Sequence, residues 1–294
     1  MKIFQSIVER IPIDKGWSGD RKYCAVTEEG HKYLLRLSPE ERFDRRHREF
    51  SRMVTLAEMG IPMPFPVEIG VCDEGVYSIQ SWIDGDDAEA AILSMNREAQ
   101  YRYGYDAGKI LTRIHSLPAP ADAEAWEIRF NAKIDRKIAL YEKCDRKYSC
   151  GGERFLEFIA DNRHLLKGRP QTYQHGDYHI ANMMIDSKGQ LTIIDFDRDD
   201  YGDPWEEFNR IVWCAQAAPA FASGMVDGYF DGEVPMDFWK LLALYICSNT
   251  LSSLPWAVPY GEKQIQVMEN QAAEVLEWYD GMAKVVPSWY LKVK

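Results

Sequence analysis

Between two apolar, β-favouring runs the chain reads His175-Gly176-Asp177-Tyr178-His179-Ile180-Ala181-Asn182, and the second run ends in Ile194-Asp195-Phe196-Asp197. Asp195 thus falls thirteen residues after Asn182. Three polar groups at fixed offsets are hard to obtain by chance, and they tie any fold of this chain to a strand-loop-strand over residues 172–195. The pattern H-x-D-x-x-x-x-N followed by D-F suits phosphoryl transfer from a nucleotide. One carboxylate accepts the proton of an attacking hydroxyl, while an amide and a second carboxylate hold magnesium against the phosphates.

At 294 residues the chain is long enough for two lobes and a substantial core. Its net charge of -11 argues against duplex nucleic acid, whose phosphates want a basic surface. The six cysteines form no CxxC pair, and reduced thiols are expected. The first twenty residues carry charges throughout, and nowhere do about twenty apolar residues run without charge. No signal segment and no membrane span are expected, and the expected location is cytoplasmic.

Residues 1–83 read as strands with one inserted helix. The β-favouring runs 22–27, 32–37, 67–71 and 76–82 are separated by turns such as Glu28-Glu29-Gly30. Ser38 and Glu41 form the pattern of a capping box, and Phe43, His47, Phe50, Val54 and Ala57 mark one apolar helical face. After Asp84-Gly85-Asp86-Asp87 the pattern turns mostly helical, over 99–115, 153–166, 205–219 and the tail from Met236. Two parts are therefore expected: a nucleotide-binding lobe over 1–83 and a catalytic and substrate-binding lobe over 84–294.

The text HGDxxxxN, here His175 to Asn182, followed by IDF at 194–196 and Gly202-Asp203-Pro204-Trp205-Glu206-Glu207-Phe208, resembles the aminoglycoside phosphotransferase family. The resemblance implies an α+β, two-lobed protein-kinase-like fold: a small antiparallel-sheet lobe with one main helix, then a large, mainly helical lobe. It implies Asp177 as catalytic base, Asn182 and Asp195 as Mg2+ ligands, and ATP or GTP as phosphate donor. Arg36 aligns with the strand lysine that contacts nucleotide phosphates, with Glu49 as its helix partner. Gly16, Ser18 and Gly19 lie where a loop would cover the phosphates, and Gln80, Trp82 and Ile83 where a hinge would read the base. Asp203 takes a structural part, and His175 is expected to brace the catalytic loop. A rival reading takes His175, Asp177 and His179 as a transition-metal site of a hydrolase.

The acceptor is expected to be a small molecule. From Asp195 to Glu207 seven acids stand against Arg198 alone, whereas residues 32–52 carry seven Lys or Arg against four acids. An acidic cleft would draw in a cation, so an aminoglycoside or another amine-bearing alcohol is expected. Choline, homoserine, methylthioribose and fructosamine kinases share the core motif and form the metabolic alternative. Nothing in the sequence speaks to oligomeric state.

Overall fold

Runs of β-favouring residues separated by tight turns make the first sheet. The computed structural model describes residues 2–14 and 19–291. Strands β1 (Ile7–Pro12), β2 (Arg21–Thr27) and β3 (Lys32–Ser38) precede helix α1 (Phe43–Glu58). Strands β4 (Pro66–Cys72), β5 (Gly75–Ser81) and β6 (Gly85–Asp87) follow, then helices α2 (Ala88–Leu93), α3 (Arg97–Ile114), α4 (Trp126–Lys143) and α5 (Glu153–Asn162). The remainder is β7 (Thr172–Gln174), β8 (Met183–Asp186), β9 (Leu191–Ile193), β10 (Asp200–Gly202), α6 (Ile211–Ala217), α7 (Pro219–Phe230), α8 (Met236–Ala257) and α9 (Glu262–Trp278).

By internal contacts the chain divides into two units, Met1–Ala91 with Ala181–Asp199, and Ile92–Ile180 with Asp200–Lys294. The first unit thus takes back a late segment that a single line at residue 83 assigns elsewhere.

In the first unit an antiparallel sheet runs in the order β1-β2-β3-β5-β4. Ala25, Leu35, Leu37, Tyr77 and Ile79 form its buried core. Because successive strand residues point to opposite faces, Arg36 lies on the other side from Leu35 and Leu37. A second sheet, β6-β8-β9, belongs to the same unit.

Helix α1 packs against β4 and β5 but is turned from the expected face. Its buried residues are Arg46, Glu49, Met53 and Leu56, whereas Phe43 is 37% exposed. Two charges can occupy the inner face because each is paired there. The expected capping box is also absent. Ser38 ends β3, its Oγ accepts a hydrogen bond from Arg46 Nε at 2.9 Å, and a 3-10 turn, Glu40–Arg42, leads into α1.

The second unit is built on a close crossing of α3 and α7. A Cβ added at Gly104 or Gly108 would collide with the carbonyl of Phe221 or Met225, and one at Gly224 or Gly228 with that of Tyr101 or Tyr105. Only glycine lets the two backbones approach so near. Helices α4 and α5 pack on α8. The apolar stretch Met236–Tyr260 is long enough to cross a membrane, yet most of it is buried as a core helix. Strands β7 and β10 pair to close the motif region of this unit.

Candidate active site

The hairpin β8–β9 explains how Asn182 and Asp195 meet. Its ladder pairs Met183 with Ile193, and the Ile194 N–H donates to the Asn182 carbonyl at 3.0 Å. Asn182 just before one strand and Asp195 just after the other therefore emerge at the same hairpin end. Asp195 holds φ at +67°, a left-handed conformation that is costly for a side-chain-bearing residue, though less so for Asp. Such strain, where it is observed, marks a position worth reading functionally. The side chain is 33% exposed.

Two cations face that carboxylate. Arg36 Nη2 lies 3.3 Å from Asp195 Oδ1 and Lys22 Nζ lies 3.8 Å from it. Lys22 and Arg36 are directly paired across β2 and β3, so their side chains share a face. Burial, then the neighbouring Arg36, pull the Lys22 ammonium below its ordinary pKa, with Asp195 and Asp20 opposing. Arg36 also bonds Asp197 and reaches Asp20 at 3.5 Å.

Glu49 is not the partner of Arg36. Its carboxylate is held on its own helix by Arg45 at 2.7 Å and Arg46 at 2.6 Å. Arg46 stands where the expected pair would close, bonding Asp20 and lying 3.5 Å from Asp197. The buried Asp20 carboxylate gathers Arg36, Arg42 and Arg46. With Arg46 on the inner face of α1, Glu49 is used up neutralising it, and Arg36 turns to the acids after β9.

Gln80 lies in β5 and its Nε2 donates to Met53 Sδ at 3.6 Å; Trp82 and Ile83 follow the strand, half-buried. Gly19 is described, and a Cβ there would meet only Arg42 at 3.8 Å. Gly16 and Ser18 lie outside the described residues.

The loop bearing Asp177 belongs to the second unit. Gly176 takes φ of +83°, and its N–H donates to Glu207 Oε1 at 2.9 Å. His175 is fully buried, and its Nδ1 accepts the Asp177 N–H at 3.2 Å. Tyr178, also fully buried, donates to the Ala107 carbonyl at 2.7 Å. Between these anchors Asp177 Oδ1 faces Arg210 Nε at 3.2 Å and His179 Nε2 at 3.7 Å. Asp203, fully buried, takes a two-pronged grip from Arg169 at 2.6 and 2.9 Å and the Tyr245 hydroxyl at 2.6 Å. This rigid knot sits beside Gly202, which pairs with Thr172 in β7, so it steadies the strand that feeds the loop.

The acidic run after β9 is not an open anionic surface. Asp195 and Asp197 pair with Arg36, Asp199 with Arg52, Asp200 with Arg129, Asp203 with Arg169 and Glu206 with Lys133, while Glu207 holds Gly176. The basic run in β3 and α1 supplies the counterions of the first three. The other acids draw their partners from elsewhere in the second unit.

The donor set at the hairpin end fits magnesium. One carboxylate and one amide are hard oxygen ligands, and magnesium ordinarily takes few from protein. No group of three His, Cys, Asp or Glu able to hold a metal occurs among the described residues, so His175, Asp177 and His179 do not form the site of the rival reading. The Arg36 and Lys22 cations beside Asp195 fit nucleotide phosphates. Lys22, Asp20, Arg46 and Arg210 were not singled out from sequence. Lys22 was within reach: pairing outward from the turn at Glu28-Glu29-Gly30 sets it opposite Arg36. Arg210 carried no local signal.

Over residues 9–239 the sequence matches the model of the phosphotransferase enzyme family. No curated protein matches it. Among solved structures, a thermostable mutant of aminoglycoside phosphotransferase APH(4)-Ia, in ternary complex with ADP and hygromycin B, is 15% identical with a TM-score of 0.66, over 94% of this chain and 95% of that one. ADP-bound aminoglycoside phosphotransferase APH(2'')-Ib is 16% identical with a TM-score of 0.62, over 92% and 94%. A choline/ethanolamine kinase family protein from Mesorhizobium loti is 14% identical with a TM-score of 0.66, over 94% and 91%. At such identities the likeness is one of fold: a sheet-based N-terminal part and a helical C-terminal part of protein-kinase-like type.

Proposed function

The chain belongs to the phosphotransferase enzyme family and is a small-molecule phosphotransferase; from that premise we propose that it moves the γ-phosphoryl group of ATP or GTP to a hydroxyl of its acceptor. The observation that carries this reading is the β8–β9 hairpin, which brings Asn182 and Asp195 to one end under the two cations Arg36 and Lys22. The nucleotide complexes of structural neighbours, with ADP or AMP-PNP, support the same donor class.

Asn182 and Asp195 would hold magnesium, whose chemistry here is to neutralise charge on the phosphate oxygens. Arg36 and Lys22 bind those oxygens too, Arg36 through a planar fork and Lys22 as a point charge. Backbone groups from Gln80 to Ile83, Trp82 included, read the base, and Gly16, Ser18 and Gly19 cover the phosphates. Asp177 orients the acceptor hydroxyl and takes its proton as the new oxygen–phosphorus bond forms and the bond to the nucleoside diphosphate breaks. His175 and Glu207 fix the loop by the two backbone bonds described, so the carboxylate is aimed before substrate arrives. Asp203 acts at a distance, through the β7–β10 pair.

Aminoglycosides, amino alcohols such as choline, and other metabolite alcohols all remain within this reading. The acids after β9 do not select the amine-bearing ones, because they are internally paired. A cytoplasmic setting, where nucleotide is abundant, belongs to the same proposal. A nucleotide-consumption screen with magnesium over aminoglycosides, amino alcohols, polyols, hydroxy acids and sugar phosphates tests it. Acceptor-dependent release of nucleoside diphosphate is expected; none with any nucleotide and any acceptor would count against it.

A further inference from the structure

Just before β2, in the first unit, Asp20 sits where three arginines meet. It follows Gly19 in the chain and precedes Lys22, the residue paired with Arg36, by two positions. The Asp20 side chain is fully buried. Arg42 Nη1 takes its Oδ1 at 3.0 Å, Arg46 Nη2 bonds its Oδ2, and Arg36 Nε lies 3.5 Å from that same Oδ2. Arg46 also donates from Nε to Ser38 Oγ at 2.9 Å, on the strand that carries Arg36. One carboxylate thus ties the start of β2 to β3 and to the inner face of α1.

Buried charges are costly unless they are paired, and here the acid and its arginines settle one another. The fork of Arg36 is divided among three acids: Nε faces Asp20, Nη1 bonds Asp197, and Nη2 lies 3.3 Å from Asp195. The first of these is a contact of charge, because the buried Nε makes no well-directed hydrogen bond among the described residues. Asp20 holds the Nε edge and so leaves the two terminal nitrogens for the hairpin end. Glu49 cannot do this, since Arg45 holds one of its oxygens and Arg46 the other.

We propose that Asp20 is a positioning residue for the nucleotide: it replaces the helix acid as the anchor of Arg36 and aims that fork at the phosphates. This rests on the phosphotransferase reading above and deepens it, because it names what holds the phosphate-binding cation in place. Asp20 touches no substrate and acts through Arg36. Its place directly after Gly19 gives it a second part, since it pins the end of the segment assigned to cover the phosphates.

The test is calorimetric titration of the full-length protein with ATP and with GTP, in the presence of magnesium, over a mutant cycle of Asp20 and Arg36. Asp20→Asn should weaken nucleotide binding by roughly 10- to 100-fold, the worth of one charged contact. In an Arg36→Met background the same change should cost no more than about 2-fold further, because the group it acts through is gone. Should Asp20→Asn fail to fold, Asp20→Asn with Arg42→Met removes a cation along with the anion and is compared with Arg42→Met alone, by the same two readings. Affinity unchanged by the loss of Asp20 overturns the role and leaves nucleotide binding by the wild type standing. An equal loss in both backgrounds also overturns it, since a part confined to general stability would not depend on Arg36. A wild type that binds neither ATP nor GTP overturns the nucleotide reading and this role with it.

Discussion

Lys22 and Arg36 stand opposite each other across β2 and β3 and approach the same oxygen of Asp195, at 3.8 and 3.3 Å. One hairpin thus aims two positive charges at one carboxylate. If that carboxylate helps to hold a nucleotide's metal, the two cations are poised for its phosphates. Lys22→Met is therefore expected to weaken nucleotide binding by roughly 10-fold, the lower end of what a charged contact is worth. Titration of nucleotide by calorimetry reads this directly, and an unchanged affinity would confine Lys22 to a structural part.

Asp177→Asn keeps the size of the side chain and removes its basicity. Its loop is pinned by the Asp177 N–H to His175 and the Gly176 N–H to Glu207, neither of which uses the Asp177 side chain. Nucleotide affinity should hold while the rate of transfer falls by roughly 10²-fold or more. Turnover equal to wild type on an identified acceptor would remove Asp177 from the reaction.

The repositioned pair on α1 makes a sharper test than stability alone. Arg46 and Glu49 bond at 2.6 Å inside the first unit, whereas Arg36 spends its contacts on Asp20, Asp195 and Asp197. A double-mutant cycle for unfolding should give Arg46 and Glu49 a coupling of about 0.5–3 kcal/mol. The cycle for Arg36 and Glu49 should give clearly less. The reverse order would restore the strand–helix pair expected from the family pattern.

Much of this was legible in the sequence, for local reasons. The β2, β3, β4 and β5 runs are rich in β-favouring residues and separated by turns at Gly30 and Gly75, so both their existence and their limits could be read. The motif loop was legible because its polar residues keep fixed offsets. What escaped depends on which face a helix turns inward. Periodicity selects the apolar stripe of α1, but Arg46 and Glu49 neutralise each other and take the inner face beside Met53 and Leu56. Charge counting failed for a related reason: a run of acids shows an anionic surface only if its counterions are elsewhere, and Arg36 and Arg52 come from the very basic run it was contrasted with. Arg210 reaches Asp177 across 33 positions, a pairing only the folded second unit reveals.

Lys137 carries a signature in stability. Its pKa falls from 10.5 to about 7 through burial and the nearby Lys133 and Arg210, against Glu206. The unfolded chain keeps a proton there that the folded chain releases, so folding is penalised fully below pH 7, and the penalty fades as pH rises toward 10.5. Lys137→Met removes it. The variant should resist denaturant better than wild type at pH 7 and below, and the two should converge as pH approaches 10.5. A gap that stays constant with pH would mean that Lys137 holds an ordinary ammonium.

The proposed reaction transfers a phosphoryl group, with Asp195 as a ligand of the metal that neutralises it. Phosphorus NMR of the enzyme with magnesium, nucleotide and acceptor tests it most directly, because it separates transfer to an alcohol from loss to water. A phosphomonoester should appear in step with nucleoside diphosphate, only in the presence of magnesium, and Asp195→Ala should abolish both signals. Inorganic phosphate in place of the monoester, or equal product from Asp195→Ala, would overturn this assignment.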